Sequence, residues 1–185
     1  MALKSTVFKA QLTVADLDRG YYADHGLTLA RHPSETDERM MVRLLAFALH
    51  AHPDLEFGRG LSNAEEAALW QRDPTGAIEL WIEVGLPDVK ALRKAAGRSP
   101  RVVVYAYGGR PVGVWWEQNQ NELARISGLE VHEIPESATE TLAGWVEGRL
   151  DVTCTIQDGV IHLATPSELF ELTIETRKGA GGGGR

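Results

Sequence analysis

Two carboxylates lie on one side of an otherwise apolar segment in the middle of the chain. The segment covers residues 76–85, GAIELWIEVG, and strand alternation places Glu79 and Glu83 on the face opposite its aliphatic side chains. An uncompensated buried carboxylate is strongly unfavourable. The segment therefore predicts either a partly hydrated sheet face or a binding site that uses these two acids.

The elements that would position these acids follow from the periodicity of the apolar residues. Strands are predicted at residues 4–15, 21–31, 55–57, 78–84, 101–107, 129–134, 152–156, 160–164 and 169–176. Helices are predicted from Ser34 as N-cap to a point near His52, from Asp88, from Pro111 to Gly128, and over residues 137–147, with an irregular or short helical excursion at 62–73.

This order of elements predicts an α/β (α+β) fold. Strands that alternate with helices in the centre of the chain imply a mixed or parallel sheet flanked by helices, because parallel strands need crossover connections. The terminal segments, residues 4–31 and 150–176, are expected to pair as an additional antiparallel sheet. We expect one domain over residues 1–177 and a flexible glycine-rich tail over 178–185.

Composition limits the classes of protein that fit. The chain has 185 residues and is 43% hydrophobic, enough for one real core. It shows no signal-peptide pattern and no run of about 18 apolar residues, so we expect a cytoplasmic protein with no membrane partner. A single cysteine, Cys154, excludes an internal disulfide and a cysteine-based metal site, and its strand pattern predicts a packed side chain.

Charge is unevenly distributed along the chain. The formal net charge of −7 argues against a uniformly basic nucleic-acid binder, yet residues 88–110 hold six basic residues against one acid. The residues around Lys90, Arg93, Lys94 and Arg98 therefore form either a solvated helix face or a nucleic-acid-binding surface.

Other polar and aromatic groups favour structural roles. Arg31 is expected to join a helix-entry network with Glu35 or Glu79, an interpretation favoured over phosphate binding by Arg31 and His32. Tryptophans at 115 and 116, at helical spacing with apolar neighbours, favour the core over base stacking. His50 and His52 are two residues apart on a helix, so they do not share a face and are interpreted as surface residues. No glycine-rich phosphate loop or nucleophile elbow is present, and no organic cofactor is predicted.

Five segments together resemble the YaeQ family. They are LARHPSET at 29–36, RMMVRLL at 39–45, LWIEVGLPD at 80–88, WWEQNQ at 115–120 and TIQDG at 155–159, and the resemblance covers nearly the whole chain except the glycine tail. It implies a variant of the PD-(D/E)XK nuclease-like fold, a mixed sheet flanked by helices, in a family whose biochemical activity is not settled.

The resemblance also implies a site. In nucleases of that superfamily two or three acids hold Mg²⁺ beside the scissile phosphate, and a lysine polarises the attacking water. Glu83 resembles the acid at the end of the motif strand, but Gly85 stands where the lysine is expected. Gln118 can orient a water instead, and Arg59 or Lys90 can supply positive charge.

The second metal ligand is less well defined. Glu79 is the natural partner acid, yet four strand steps separate it from Glu83 by about 13 Å between Cα atoms. Long side chains or a β-bulge would close part of that gap. Glu38, on the inward face of the predicted first helix, is the alternative ligand, although the helix dipole also explains an acid there.

The leading interpretation is a Mg²⁺-dependent (or Mn²⁺-dependent) nuclease or phosphodiesterase with a degenerate site. Glu79 and Glu83 would hold the metal, with Gln118 and Glu38 completing the catalytic set. The alternatives are a catalytically silent nucleic-acid-binding or transcription-related protein and a protein-interaction domain. These interpretations differ in whether metal, nucleic acid or neither binds.

Overall fold

The computed structural model describes residues 4–59, 65–147 and 149–180. Its strands are β1 (Thr6–Asp16), β2 (Tyr21–Arg31), β3 (Leu55–Phe57), β4 (Leu69–Arg72), β5 (Ile78–Val84), β6 (Val102–Ala106), β7 (Leu129–Glu133), β8 (Leu150–Gln157), β9 (Val160–Ala164), β10 (Leu169–Leu172) and β11 (Glu175–Lys178). Its helices are α1 (Asp37–Leu49), α2 (Val89–Arg98), α3 (Arg110–Leu123) and α4 (Glu136–Ala143). The predicted α/β class is confirmed.

The chain divides into two compact units. Unit 1 contains Met1–His52 and Ser137–Thr173, and unit 2 contains Pro53–Glu136 and Ile174–Arg185. Among the described residues, no helix has both the length and the apolar character needed to cross a membrane.

Unit 1 contains a five-stranded sheet in the order β10-β9-β8-β1-β2. The predicted hairpin forms, because β1 pairs with β2 in antiparallel register from Thr6↔Arg31 to Asp16↔Tyr21. The prediction of a wholly antiparallel sheet was wrong, since β1 and β8 run parallel from Ala10↔Leu150 to Asp16↔Ile156. Alternation determines which face of a strand is buried, but it carries no information about the direction of a partner that lies far away in the sequence.

Helix α1 begins two residues later than predicted. Its N-cap is Thr36, whose Oγ1 accepts a hydrogen bond of 3.0 Å from the backbone N–H of Arg39. Ser34, the predicted cap, instead hydrogen-bonds through its Oγ to His32 Nδ1 at 2.6 Å. Both hydroxyls suit a cap, and the local backbone decides which one is used.

A buried ion network anchors the start of α1. Arg43 is 1% exposed and Glu35 is 5% exposed. Arg43 donates to the two Glu35 oxygens at 2.7 and 2.9 Å, and Arg39 donates to Glu35 Oε1 at 2.9 Å. Arg31 pairs with Asp37, so its predicted partners were wrong although a network at the helix entry does form.

The thiol of Cys154 lies in the interior of unit 1. The residue is fully buried on β8, which confirms the prediction of a packed side chain. Burial is the main reason that the pKa of this thiol is raised to about 12. The group therefore stays protonated and chemically inert at neutral pH.

Unit 2 contains a six-stranded sheet in the order β11-β7-β6-β5-β4-β3. Strands β5, β6 and β7 are parallel to one another, and β3, β4 and β11 are antiparallel to their neighbours. The helical or irregular interpretation of 62–73 was wrong for Leu69–Arg72, which form β4, while residues 60–64 lie outside the described residues.

The predicted strand at 169–176 consists of two strands in different sheets. Residues Leu169–Leu172 pair with β9, and Glu175–Lys178 pair with β7. Lys178 is buried at the end of β11, and its Nζ donates to the carbonyl oxygens of Ile126 and Leu129 at 3.2 and 2.7 Å. Residues 181–185 of the predicted flexible tail lie outside the described residues.

Helices α2 and α3 contribute to the same core cluster as one face of the unit 2 sheet, hereafter the helix-covered face. The cluster combines strand residues with helix residues: Trp81, Val102, Val104, Leu129 and Val131 with Leu92, Val112 and Trp115. Trp115 is 8% exposed, which confirms its predicted core position. The continuous apolar run of β6 fits a strand that is buried on both faces.

Candidate functional site

The carboxyl ends of the three parallel strands lie along one edge of the unit 2 sheet, hereafter the parallel edge. Glu83 and Glu133 stand there on β5 and β7, at the register positions of Val104 and Ala106 of β6. Since Val104 and Ala106 are two residues apart, both acids lie on the helix-covered face. Ligands of open α/β sheets usually bind outside the carboxyl ends of parallel strands.

Glu83 is the predicted site residue that lies best at this edge. It is partly buried, and its Oε1 accepts a hydrogen bond of 2.7 Å from Trp81 Nε1. Trp81 is itself buried, with the Arg98 guanidinium 5.0 Å from the centroid of its ring. Packing therefore fixes the orientation of the donor that holds the Glu83 carboxylate.

Glu79 lies on the same strand but in a different environment. It is exposed, and its Oε2 accepts a hydrogen bond of 3.1 Å from Gln71 Nε2 on β4. The pairing of β4 with β5 shifts register between Gln71 and Arg72, which places Glu79 between the paired residues Ile78 and Leu80. A register shift of the kind that could have brought the two acids closer together therefore does occur at Glu79. The two carboxylates nevertheless accept hydrogen bonds from different donors, Gln71 for Glu79 and Trp81 for Glu83.

The backbone after β5 explains the glycine at the expected lysine position. Gly85 has φ +98°, and its N–H donates to the carbonyl oxygen of Tyr105 at 2.9 Å. An L-residue with this φ is strained. Glycine is therefore favoured here by the conformation of the turn, and a lysine would distort the end of β5.

Gln118 is exposed on α3, and its cavity neighbours do not include the two strand acids. It lines a surface cavity of about 420 Å³ together with Arg110, Pro111, Val114 and Trp115. Trp115 connects α3 to the segment after β5, because its Nε1 donates to the carbonyl oxygen of Pro87 at 2.8 Å. Gln118 is thus held one helical turn beyond a fixed contact, but neither Glu79 nor Glu83 lines its cavity.

Glu38 belongs to unit 1, whereas Glu79, Glu83 and Gln118 belong to unit 2. Its Oε1 accepts a hydrogen bond of 2.6 Å from the hydroxyl of Thr139. This bond gives Glu38 a structural partner on α4 within unit 1.

Sequence reasoning missed three charged residues near the parallel edge. Arg177 on β11 donates to Glu133 Oε2 at 2.6 and 2.9 Å, and this hydrogen bond raises the pKa of Arg177 above its usual range. The Glu136 carboxylate lies against Gly109, the residue that precedes α3. Glu133 was detectable as the last acid of a predicted strand, but Arg177 reaches it only through tertiary pairing.

Most basic side chains of α2 contact acidic residues that lie outside residues 88–110, the segment over which the charge was counted. Arg93 pairs with Glu122 at 2.6 Å, Lys94 pairs with Glu65, and Arg98 donates to the Glu65 carbonyl oxygen at 2.5 Å. The helix keeps its basic side chains exposed, but the local positive charge is smaller than the sequence count indicates.

The carboxylates at the parallel edge are the type of ligand that Mg²⁺ prefers, but they are few. Carboxylate oxygens are the hard ligands that Mg²⁺ prefers. Among the described residues, no group of three or more His, Cys, Asp or Glu side chains is placed to hold an ion. Mg²⁺ commonly uses one or two carboxylates with substrate phosphates and water, so an ion at this edge would need most of its oxygen ligands from another molecule.

Comparisons with known proteins agree on one family. A family model described as "YaeQ protein" matches residues 1–174. The chain is 42% identical over 174 residues to "Uncharacterized protein YaeQ" of Salmonella typhi, covering 94% of this chain and 96% of the relative. The protein of the same description from Escherichia coli (strain K12) is 41% identical with the same coverage.

Solved structures agree with these sequence relatives. The crystal structure of YaeQ protein from Xanthomonas axonopodis pv. citri matches with a TM-score of 0.91 and 48% identity, covering 94% of this chain and 98% of that one. The crystal structure of YaeQ protein from Pseudomonas syringae matches with a TM-score of 0.91 and 35% identity, covering 95% and 97%. The chain therefore belongs to the YaeQ family.

Proposed function

We propose that this protein is a Mg²⁺-dependent (or Mn²⁺-dependent) phosphodiesterase of the PD-(D/E)XK type with a degenerate site at the parallel edge. One observation carries the proposal: Glu83, a partly buried acid with a fixed hydrogen-bond donor, stands where parallel strand β5 ends. Such strand ends are the usual ligand position of open α/β sheets. The proposal includes action in the cytoplasm, where nucleic acids and Mg²⁺ are available.

In this proposal Glu83 is the protein ligand of the metal and the phosphodiester supplies further oxygens. A bound Mg²⁺ would polarise the phosphate and lower the pKa of its water. Glu79, exposed and about 13 Å away along the strand, would add only negative charge at a distance and would not ligate the ion, so its expected contribution to metal affinity is small. Gln118 would orient water or substrate. Since glycine replaces the lysine, we expect slow turnover.

A metal titration tests the role of Glu83. We expect Glu83→Gln to weaken Mn²⁺ binding by at least about tenfold in the presence of a phosphodiester, since even residues that only orient metal ligands contribute about 10–100-fold. Glutamine keeps an oxygen for Trp81 Nε1, so the fold should be retained. The measurement is calorimetric titration of Mn²⁺, with hydrolysis of bis(p-nitrophenyl) phosphate as a second readout.

Glu79→Gln is the matched control on the same strand. We expect it to change Mn²⁺ affinity by less than about threefold, which is below the about 10–100-fold effect of residues that orient a metal ligand. Undiminished Mn²⁺ binding by Glu83→Gln, with wild-type thermal stability, would remove the basis of the proposal.

A second candidate is a catalytically silent nucleic-acid-binding, transcription-related protein. It is favoured by the Gly85 conformation, which disfavours the lysine of an active site, and by the exposed basic residues of α2. The ion pairs of Arg93 and Lys94 are solvent-exposed, and such pairs are worth about 0–1 kcal/mol. A phosphate backbone can therefore compete with Glu122 and Glu65 for these side chains.

Charge reversal on α2 separates the second candidate from the first. We expect Arg93→Glu together with Lys94→Glu to weaken binding of a 20-base-pair DNA duplex and to lower the slope of log affinity against log salt by about 1 per lost contact. Fluorescence anisotropy at several salt concentrations measures both quantities. Glu83→Gln is the control and should leave DNA affinity unchanged. An unchanged salt slope in the double variant would exclude α2 as a phosphate-binding surface.

A further inference from the structure

The amino-terminal end of β1 extends beyond its partner β8. Strand β1 starts at Thr6, but its parallel pairing with β8 begins only at Ala10↔Leu150. Among the described residues, no strand lies beside residues 6–9 on that side of β1. This stretch, hereafter the open end of β1, is a short unpaired sheet edge.

The direction of the backbone groups in the open end follows from the strand register. Leu17, directly after β1, donates its N–H to the carbonyl oxygen of Ile156 at 2.8 Å, so its N–H points toward β8. The pairing of β1 with β2 has no register shift along the whole strand. In a strand the backbone groups of every second residue point in the same direction. The N–H and C=O of Val7 therefore point to the same side of β1 as the Leu17 N–H, at a level that β8 does not reach.

The side chains around the open end are apolar in part and basic in charge. Val7 is 58% exposed. A cavity of about 720 Å³ is lined by the open end, by Gly26, Leu27 and Thr28 of β2, and by Arg149 before β8. Lys9 and Arg149 are the charged residues of this lining. Both are in exposed contacts, since Lys9 Nζ donates to Thr28 Oγ1 at 2.8 Å and Arg149 lies 3.5 Å from Asp151, and an acidic ligand can compete for exposed contacts of this kind. A site with two cations complements an acidic ligand.

We propose that the open end of β1 binds an extended acidic segment of another protein, which adds as a strand in the position that β8 leaves vacant. Unpaired strand edges are templates for this kind of addition, in which main-chain hydrogen bonds give affinity and side-chain contacts give specificity. A second copy of this chain is the less suitable occupant, because two open ends side by side would bring Lys9 and Arg149 near their own like charges. The inference is independent of the metal site.

The direct test uses a capped octapeptide of alternating valine and glutamate as the probe. Amide hydrogen exchange of the full chain, followed by NMR, reports on Val7. At a peptide concentration of about ten times Kd, we expect exchange of the Val7 amide to slow about tenfold. The matched peptide of alternating valine and lysine should give no protection.

Two substitutions separate backbone pairing from charge. Val7→Pro removes the N–H on the open side, and proline is tolerated on such an edge, so we expect peptide binding to be lost while the remaining amide spectrum is retained. Val7→Ala is the control that keeps the N–H. Lys9→Glu should reverse the preference toward the lysine peptide, which keeps the proposal testable if the proline variant does not fold.

Three results would overturn the proposal. Equal binding of the acidic and basic peptides would exclude charge recognition. Protection of the Val7 amide in the free protein that increases with protein concentration would identify a second copy as the occupant. Unchanged exchange at Val7 in millimolar acidic peptide would exclude strand addition at this edge.

Discussion

Glu35→Gln is expected to destabilise the protein by about 3–5 kcal/mol, the usual cost of removing one partner from a buried ion pair. Glu35 accepts hydrogen bonds from Arg43 and Arg39, and Arg43 is 1% exposed. Glutamine has a similar shape but no charge, so a desolvated guanidinium would lose its counter-charge. Urea unfolding followed by tryptophan fluorescence measures the effect.

An exposed ion pair of the same chemical type provides the control. Glu122 pairs with Arg93 at 2.6 Å, and both side chains are about half exposed, at 51% and 55%. Glu122→Gln should therefore cost less than about 1 kcal/mol. Similar losses for the two variants would mean that the Glu35 network contributes no more than a surface pair, contrary to its burial.

Gly128→Ala is expected to cost about 3 kcal/mol, since it combines two of the mechanisms that produce large losses. Gly128 has φ +75°, and a Cβ there would clash with the backbone carbonyl of Pro100. The left-handed conformation costs an L-residue about 1–2 kcal/mol. The clash adds to this because the neighbouring backbone must move.

Gly128 also lies at the amino ends of two of the parallel strands, opposite the parallel edge. The carbonyl oxygen of Gly128 accepts a hydrogen bond of 2.9 Å from Val102, which connects the start of β7 to the start of β6. We therefore expect Gly128→Ala to loosen both strands, seen as faster amide exchange at Val102 together with a lower unfolding midpoint in urea.

Gly159→Ala isolates the conformational part of that cost. Gly159 has the same φ of +75°, but a Cβ there has no atom within 4 Å. We expect this variant to lose only about 1–2 kcal/mol. If it were as destabilised as Gly128→Ala, the close approach to Pro100 would contribute nothing.

The sequence predicted the local elements of the candidate site with good accuracy. Alternation over residues 78–84 gave β5 with its observed limits and placed Glu79 and Glu83 on one face. The helix predicted from Asp88 forms as α2, and Asp88 is its N-cap, with its carboxylate accepting from the N–H of Ala91 at 2.7 Å. These features depend on neighbours within a few residues, where periodicity and capping chemistry are sufficient.

The environment of each acid was less accessible to prediction. Nothing in the sequence near Glu83 identifies Trp81 Nε1 as its donor, since the indole could have pointed toward any acceptor on its face. The Arg177 partner of Glu133 lies 44 positions away and becomes its neighbour only because β11 pairs with β7. Such contacts depend on which strands become neighbours, which a periodic pattern does not encode.

By itself the sequence determined the α/β class, most of the strands and helices, the face on which the two strand acids lie and, through its motifs, the family. The tertiary structure decided that β1 and β8 run parallel, that residues 169–176 divide between two sheets, and that Glu38 and Glu83 belong to different units. The physical reason is the range of the interactions. Burial periodicity acts within one element, whereas strand direction, sheet membership and ion-pair partners are set by contacts between segments that are distant in the chain.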